Sequence, residues 1–418
     1  MKPRLFSIVC VGWFGLSVTS AIAEDWPQWL GPNRDGVSKE TGLLPKWPEG
    51  GPKLAWKASE LGDGYSTPSV AKGQIYVVGS PDGKKEVLIA LSESEGKNLW
   101  SAEIGGVGAN RGPQYPGPRS TPTVDRDRVY VLSSDGDLAC LATADGKMVW
   151  QKSLRKDFDG KPGNWAYAES VLVDGDVVVC TPGGSKATIV ALNKNDGSVV
   201  WQCAVPGGDP AGFASAVIGE VGGIRQYIQF LGKGLVGIEA KTGRFLWRYD
   251  NTSNGSMNAV TPIFRDSSVL SAATRKGAGL AKLAADGDKV TATEVYFVAK
   301  LPTHHGGLVL VGDSVYGTGS AALLCVDFAT GKFQWEDRSV GKGSIAAADG
   351  RLYVRSENGQ VALVEASPTA YKELGRFTPE GSSPKNCWPH PVIANRHLLL
   401  RDRGALYSYD VKTTANAQ

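Results

Sequence analysis

Five residues of this chain break an internal pattern in ways that could do chemistry. Glu169 and His390 fall where six aligned segments carry Thr67, Thr121, Ser215, Thr261, Gly307 and Ser344. Two positions earlier, Arg119, His305 and Lys342 stand among Tyr65, Tyr167, Phe213, Asn258 or Ala259, and Trp388. Charged and imidazole groups flanked by aromatics, gathered at one mouth, suit a polar ligand or a peptide. The plainer reading is a solvated rim sealed by aromatic rings. The expected ligand-binding set is Tyr65, Arg119, Tyr167, Glu169, Asn258, His305, Lys342, Trp388 and His390, with no catalytic residue.

Other chemistries find less support in the residues. No Ser sits in a Gly-x-Ser-x-Gly elbow. His304 and His305 are adjacent, and neighbours in a strand point to opposite faces, so they are not expected to share an ion. His305 with His390 has no third ligand, and no metal site is assigned. Asn33-Arg34-Asp35-Gly36 is turn chemistry without the spaced acids of a calcium loop. There is no Cys-x-x-Cys-His and no paired-cysteine zinc spacing.

The elements that position these residues repeat. Ala191–Trp201 reads ALNKNDGSVVW, and the same frame recurs at Ala90–Trp100, Cys140–Trp150, Gly237–Trp247 and Cys325–Trp335. The Trp residues recur about 50 residues apart, once at a doubled step, which is the period of a propeller or solenoid. Each repeat offers four short strands. In the first these are Ser66–Val70, Gln74–Gly79, Val87–Ser92 and Asn98–Ile104; in the second, Ser120–Val124, Arg128–Leu132, Asp137–Leu141 and Met148–Leu154. Later repeats begin near Tyr167, Phe213, Ala259, His305 and Lys342, and the fifth and seventh lack the Trp, with Thr291 in its place in the fifth.

The last repeat has three strands, Pro389–Ile393, His397–Leu400 and Ala405–Val411, and then stops. Residues 51–56 look like a fourth strand, Trp56 included, with no strands before it. A ring explains both fragments, because closure leaves only short protected edges. The expected fold is all-β: an eight-bladed propeller of four-stranded antiparallel blades, closed by an N-terminal strand on the C-terminal blade. Docking Trp residues are Trp56, Trp100, Trp150, Trp201, Trp247 and Trp335, each lying in a seam between blades.

Lys2 and Arg4, the apolar stretch Leu5–Val18 and Ala21-Ile22-Ala23 read as a cleaved signal peptide over 1–23, too short to span a bilayer. That implies a periplasmic or extracellular protein with no transmembrane segment after cleavage. Residues 24–50 form an extended segment with Trp26, Trp29 and Trp47 on the outside of the array. The propeller spans 51–411, and 412–418 is a tail. Net charge is +3 with 21 % charged residues, which gives no basic cluster for nucleic acid. Five Cys follow the leader, an odd number that argues against a complete disulfide framework. Cys140 and Cys325 fill a small-residue packing slot.

The frame, best matched by Cys325–Trp335 (CVDFATGKFQW), resembles the tryptophan-docking motif of the pyrroloquinoline-quinone (PQQ) propeller superfamily. The resemblance covers Trp26 to Val411 and is specific for fold, weakly so for function. The superfamily includes quinoprotein alcohol and glucose dehydrogenases. It also includes relatives that bind proteins and no cofactor, such as the outer-membrane barrel-assembly lipoprotein. The dehydrogenases hold PQQ under a vicinal disulfide, bind Ca²⁺ through Glu and Asn, and use an Asp base. This chain has no adjacent Cys pair, and Thr303–Gly307 offers no Asp. Glu169 and Asn258 are two candidate Ca²⁺ ligands where about six oxygens are needed. The expectation is a non-catalytic, monomeric scaffold binding a protein, polysaccharide or small polar ligand, without cofactor. The alternative is a divergent PQQ- and Ca²⁺-dependent alcohol or sugar dehydrogenase.

Overall fold

The strand Lys53–Ala58 lies antiparallel to Ala405–Asp410, with Lys53 opposite Asp410, Trp56 opposite Ser408 and Ala58 opposite Leu406. It is the outer strand of an eighth sheet, completed by His397–Asp402 and Val392–Ala394. The structure, a computed structural model, describes residues 23–413 except 110–114, 116, 256, 302, 320, 384 and 385. The signal-peptide reading and the end of the expected tail fall on residues outside that set.

Seven further sheets follow in chain order, each antiparallel and four-stranded, the seventh with an added parallel strand. Their first strands are Ser69–Ala71, Thr123–Asp125, Leu172–Asp174, Val217–Val221, Ile263–Arg265, Leu308–Val311 and Gly343–Ala348. These short inner strands neighbour one another around the ring, and at three junctions hydrogen bonds to a hydroxyl stitch them together just before the strands begin. The Thr121 amide donates to Ser170 Oγ, the Ser170 amide to Ser215 Oγ, and the His390 amide to Thr67 Oγ1. The eight-bladed closed propeller is therefore the observed fold.

The seams show why the eleven-residue frame recurs. Trp56, Trp100, Trp150, Trp201 and Trp335 each donate Nε1–H to a backbone carbonyl of the next blade: Glu93, Thr143, Lys194, Ala240 and Ser367. Four of these rings lie over the frame glycine of that next blade. A Cβ on Gly146 would meet the Trp100 ring at 2.5 Å, and one on Gly243 would meet Trp201 at 2.5 Å. Glycine thus serves the tight turn and the close approach of an indole at once. Trp247 differs: its Nε1 donates to Gln226 of its own blade at 2.5 Å. In the fifth blade the last two strands, Gly277–Asp286 and Lys289–Val298, run ten residues each. The seam ring there is Tyr296, whose hydroxyl donates to Phe328 O at 2.9 Å and whose ring covers Gly331. The expectation that the position falls to Thr291 missed this longer hairpin.

Blades one and two are also tied by a buried carboxylate. Glu86 is fully buried and accepts from the Ser134 amide at 2.9 Å and from the Ser134 hydroxyl. Burial pushes its pKa up to about 7, Asp135 adds to the rise, and the Ser134 bonds and the Arg119 charge oppose it. The folded-state value lies above the usual 4.5, so this contribution to stability is full below pH 4.5 and lost as pH rises through 7. Glu86→Gln keeps the shape and removes the proton linkage. Between pH 4.5 and 8 the wild type is expected to lose about 3 kcal/mol relative to this variant. Urea unfolding of both proteins at the two pH values reads this, and parallel pH profiles would refute it.

Residues 24–50 do more than pack on the outside. Trp26 exchanges backbone hydrogen bonds with Val70 of blade one, and Pro27 O accepts from Val124 of blade two. Arg34 donates to Ser170 O and Val171 O of blade three. Val37–Ser38 adds as a parallel strand to Gly343–Ala348 of blade seven. Glu40 accepts from the Arg396 amide of blade eight. The partners in blades one, two, three and seven lie along the inner strands, so the segment crosses the channel and plugs one end. Trp47 alone of the three Trp residues sits toward the rim, against Tyr353 and Phe377. Trp26 is buried under the ring, and Trp29 points into the channel.

Candidate functional site

Plugged at one end, the channel becomes a cup of about 360 Å³ opening at the leading ends of the inner strands. Its wall comes from the residues just before those strands, which alternate between channel and blade as extended chains do. Tyr65, Arg119, His305, Lys342, Trp388 and His390 line it, as the sequence suggested. Trp29, Tyr115, Trp165, Phe213, His304, Glu357 and Asn386 line it as well. Phe213 stands in the aligned outer ring as the sequence placed it, though outside the expected binding set; the other six were in neither.

Three expected residues are not in the wall. In blade three the pairing of Leu172 with Val179 matches that of Ser69 with Tyr76 in blade one. The residue equivalent to Thr67 is therefore Ser170, and the one equivalent to Tyr65 is Ala168. Tyr167 and Glu169 are one position out of register and turn into the blade. The Tyr167 hydroxyl donates to Pro182 O at 2.9 Å. Glu169 is buried, with Gln229 Nε2 at 3.5 Å, and burial pushes its pKa up to about 7 against the pull of Thr181 and Arg34. Asn258 is buried too, its amide donating to Leu231 O, Gly232 O and Ser253 Oγ. Ala259 takes its place in the wall.

The aromatic lining is continuous on one side. Trp388 packs on Tyr65 at 4.5 Å between centroids, on Tyr115 at 4.7 Å and on His305 at 5.2 Å. Trp29 rises from the plug, donates to Thr261 Oγ1 at 2.8 Å and meets the His390 ring edge-on at 4.7 Å. Trp165 and Phe213 form a further pair at 5.7 Å. Such faces stack on planar or ring-bearing ligands.

The polar groups concentrate around Glu357, in the turn between the second and third strands of blade seven. Its Oε1 accepts from Trp388 Nε1 at 2.7 Å and from the Lys342 ammonium at 2.9 Å, with His305 Nε2 at 3.6 Å. His304 and His305 lie in a bend, where strand alternation does not apply. Their Nδ1 atoms approach to 2.5 Å, contrary to the expectation that they point apart. Burial first, then the Lys342 charge, holds His304 down at about 4. Burial holds His390 at about 4 and His305 well below the usual imidazole value. Burial thus favours the neutral form of all three rings. Arg119 is partly taken up by its own loop, donating to Gly117 O and Tyr115 O while lying 5.5 Å from the Tyr65 ring.

These residues do not fit the Ca²⁺–PQQ centre that the fold class raises. The two candidate calcium ligands, Glu169 and Asn258, are turned into the blades, and Glu357 is the carboxylate of the described lining. The five cysteines of the described residues are buried and free.

A family model described as outer membrane protein assembly factor BamB matches residues 84–337 and 283–372, more than half of the chain. The protein of that name from Salmonella typhimurium is 32 % identical over 114 residues, 26 % of either chain. The match thus spans about a quarter of the length of the curated relatives. Among solved structures, BamB from Moraxella catarrhalis superposes with a TM-score of 0.61 at 15 % identity, over 88 % of this chain and 98 % of that one. The quinohemoprotein alcohol dehydrogenase from Comamonas testosteroni gives 0.66 at 13 % identity, over 94 % and 81 %. At these identities both likenesses are of fold.

Proposed function

The chain belongs to the outer membrane protein assembly factor BamB family, and from that premise we propose that it is a non-catalytic binding propeller of the periplasm or cell exterior. It holds a protein or glycan partner by an exposed ring-bearing end that enters the cup. The observation that carries this reading is the cup itself: a channel stopped by the chain's own N-terminal segment and walled by Trp29, Tyr65, Tyr115, Trp165, Phe213 and Trp388. A plugged channel cannot conduct, and stacked aromatics with a small polar cluster favour capture and orientation of a ligand. No helix among the described residues is long and apolar enough to cross a membrane. The nominated rim cations, Arg119 and Lys342, flank the same opening.

The test is binding to an array of oligosaccharides and to an immobilised peptide library, comparing wild type with Trp388→Ala. Removing a central indole from such a patch is expected to cost at least 2 kcal/mol, about thirty-fold in affinity. Unchanged thermal midpoint with lost binding supports the cup; equal binding by both proteins would move the site off it. The dehydrogenase alternative is checked in the same preparation with PQQ and Ca²⁺. A flat midpoint at high ligand is the expected result. A ligand at one hundred times its Kd would add about 2.7 kcal/mol and shift it visibly, which would restore the alternative.

A further inference from the structure

We propose that His304, His305 and Glu357 form a site for one divalent transition-metal ion of the zinc class at the mouth of the cup. The three residues come from two blades, and one ring nitrogen from each His and one carboxylate oxygen lie within 4.8 Å of one another. Two imidazoles and a carboxylate are a donor set that suits Zn²⁺, leaving a fourth position open to the cavity. Two features point to an ion. The two Nδ1 atoms face each other at 2.5 Å, where one proton at most fits between them. His305 Nε2 is buried with no hydrogen-bond partner and stands 3.6 Å from Glu357 Oε1, so His305 offers the ion either one nitrogen or the other.

The cluster is close to ligating geometry, with adjustments that side chains can make. Bonds of about 2.1 Å around a tetrahedral ion place two ligand atoms roughly 3.4 Å apart. Where both rings ligate through Nδ1 that pair must open by about 1 Å, and where His305 ligates through Nε2 its 3.6 Å to Glu357 Oε1 already fits; no pair has to close by more than about 1.4 Å. These shifts are rotations of half-buried side chains at the cavity edge. The outer contacts are present: Trp388 Nε1–H donates to Glu357 Oε1 and fixes the carboxylate, as metal ligands are commonly fixed. Lys342 opposes binding, since its ammonium sits 2.9 Å from the same oxygen. The ion therefore competes with Lys342 for Glu357. This inference stands apart from the partner reading, because the ion is titrated with no partner present.

The experiment uses the whole chain stripped of metal, titrated with Zn²⁺ by calorimetry and with Co²⁺ by visible absorption. One ion per chain and d–d bands of a low-coordinate Co²⁺ complex are expected. Glu357→Gln, which preserves shape, and His304→Ala should each weaken binding by more than the about 10–100-fold that loss of an outer-shell partner brings. Lys342→Met should tighten it, an outcome that a purely structural role for the cluster would not produce. His397→Ala, on blade eight outside the cup, should leave it unchanged. Absence of saturable binding, or equal affinity in wild type and Glu357→Gln, overturns the proposal and leaves the His pair as a hydrogen-bonded relay. If His304→Ala fails to fold, Glu357→Gln decides.

Discussion

Gly243→Ala is expected to destabilise the ring by about 4 kcal/mol, and Gly287→Ala by about 1 kcal/mol. Both glycines occupy the turn before the outer strand of their blades, and both have positive φ, +75° and +58°. A left-handed conformation costs any alanine about 1–2 kcal/mol, so that penalty is common to the two. What differs is the neighbour. At Gly243 the added methyl would lie 2.5 Å from Cε3 and 2.6 Å from Cδ2 of Trp201, which is fastened by its bond to Ala240 O. At Gly287 nothing lies within 4 Å. Forcing a methyl into a filled seam typically adds 1–3 kcal/mol, and here it also threatens the indole hydrogen bond. Urea midpoints of the two variants and wild type measure the difference. Equal losses would mean that the frame glycine serves the turn alone, and that the seam yields without cost.

The contrast between these two glycines also shows what the sequence could and could not disclose. The period, the frame and the complementary end fragments follow from local chemistry repeated many times, so the closed ring was legible. Each docking partner was not. Trp247 fits the frame as well as Trp201 does, yet its ring turns back to Gln226, and the blade it faces carries the long hairpin. The register of blade three is legible in the sequence too. Aligning on Tyr167 put a carboxylate in a ring of hydroxyls, whereas the rule that this position carries Ser or Thr selects Ser170. Its hydroxyl does take the Thr121 amide. Strand alternation then sends Glu169 to the opposite face.

The missed half of the cup had weaker signals. Trp29 belongs to a segment without period and Glu357 to a turn inside a blade, and their places depend on contacts 232 and 31 residues away, to Thr261 and Trp388. Tyr115 and Trp165 lie in connections between blades, where length and composition say nothing of direction. The His304–His305 approach was hidden for a related reason. The sequence pattern at His304–His305 continues that of a strand, but the chain bends there, and the alternation that would separate the rings does not hold.

Arg34→Met is expected to cost about 3–5 kcal/mol and to free the plug that makes the channel a cup. Arg34 is buried, and its guanidinium donates to Gln28 Oε1 at 3.0 Å, to Val171 O at 3.2 Å and to Ser170 O at 2.7 Å. Burial lowers its pKa to about 10, with Glu169 pulling the other way. Removing one member of such a buried set strands the others: two carbonyls lose a donor, and Glu169 loses the charge that favours its ionised form. In the single variant Glu169 should therefore take up a proton more readily, and its pKa should rise above about 7. Adding Glu169→Gln removes that stranded group, so the double variant should recover about 1–3 kcal/mol of the loss. A double-mutant cycle read by urea unfolding at pH 8, where the carboxylate is mostly ionised, gives the coupling directly. The plug supplies a second readout. Backbone amides of residues 26–38 should exchange faster in Arg34→Met than in wild type, while those of the blade cores stay protected. A coupling near zero with unchanged exchange would mean that Trp26 and the parallel strand at Val37–Ser38 hold the plug without Arg34. The floor of the cup would then rest on packing and backbone pairing alone.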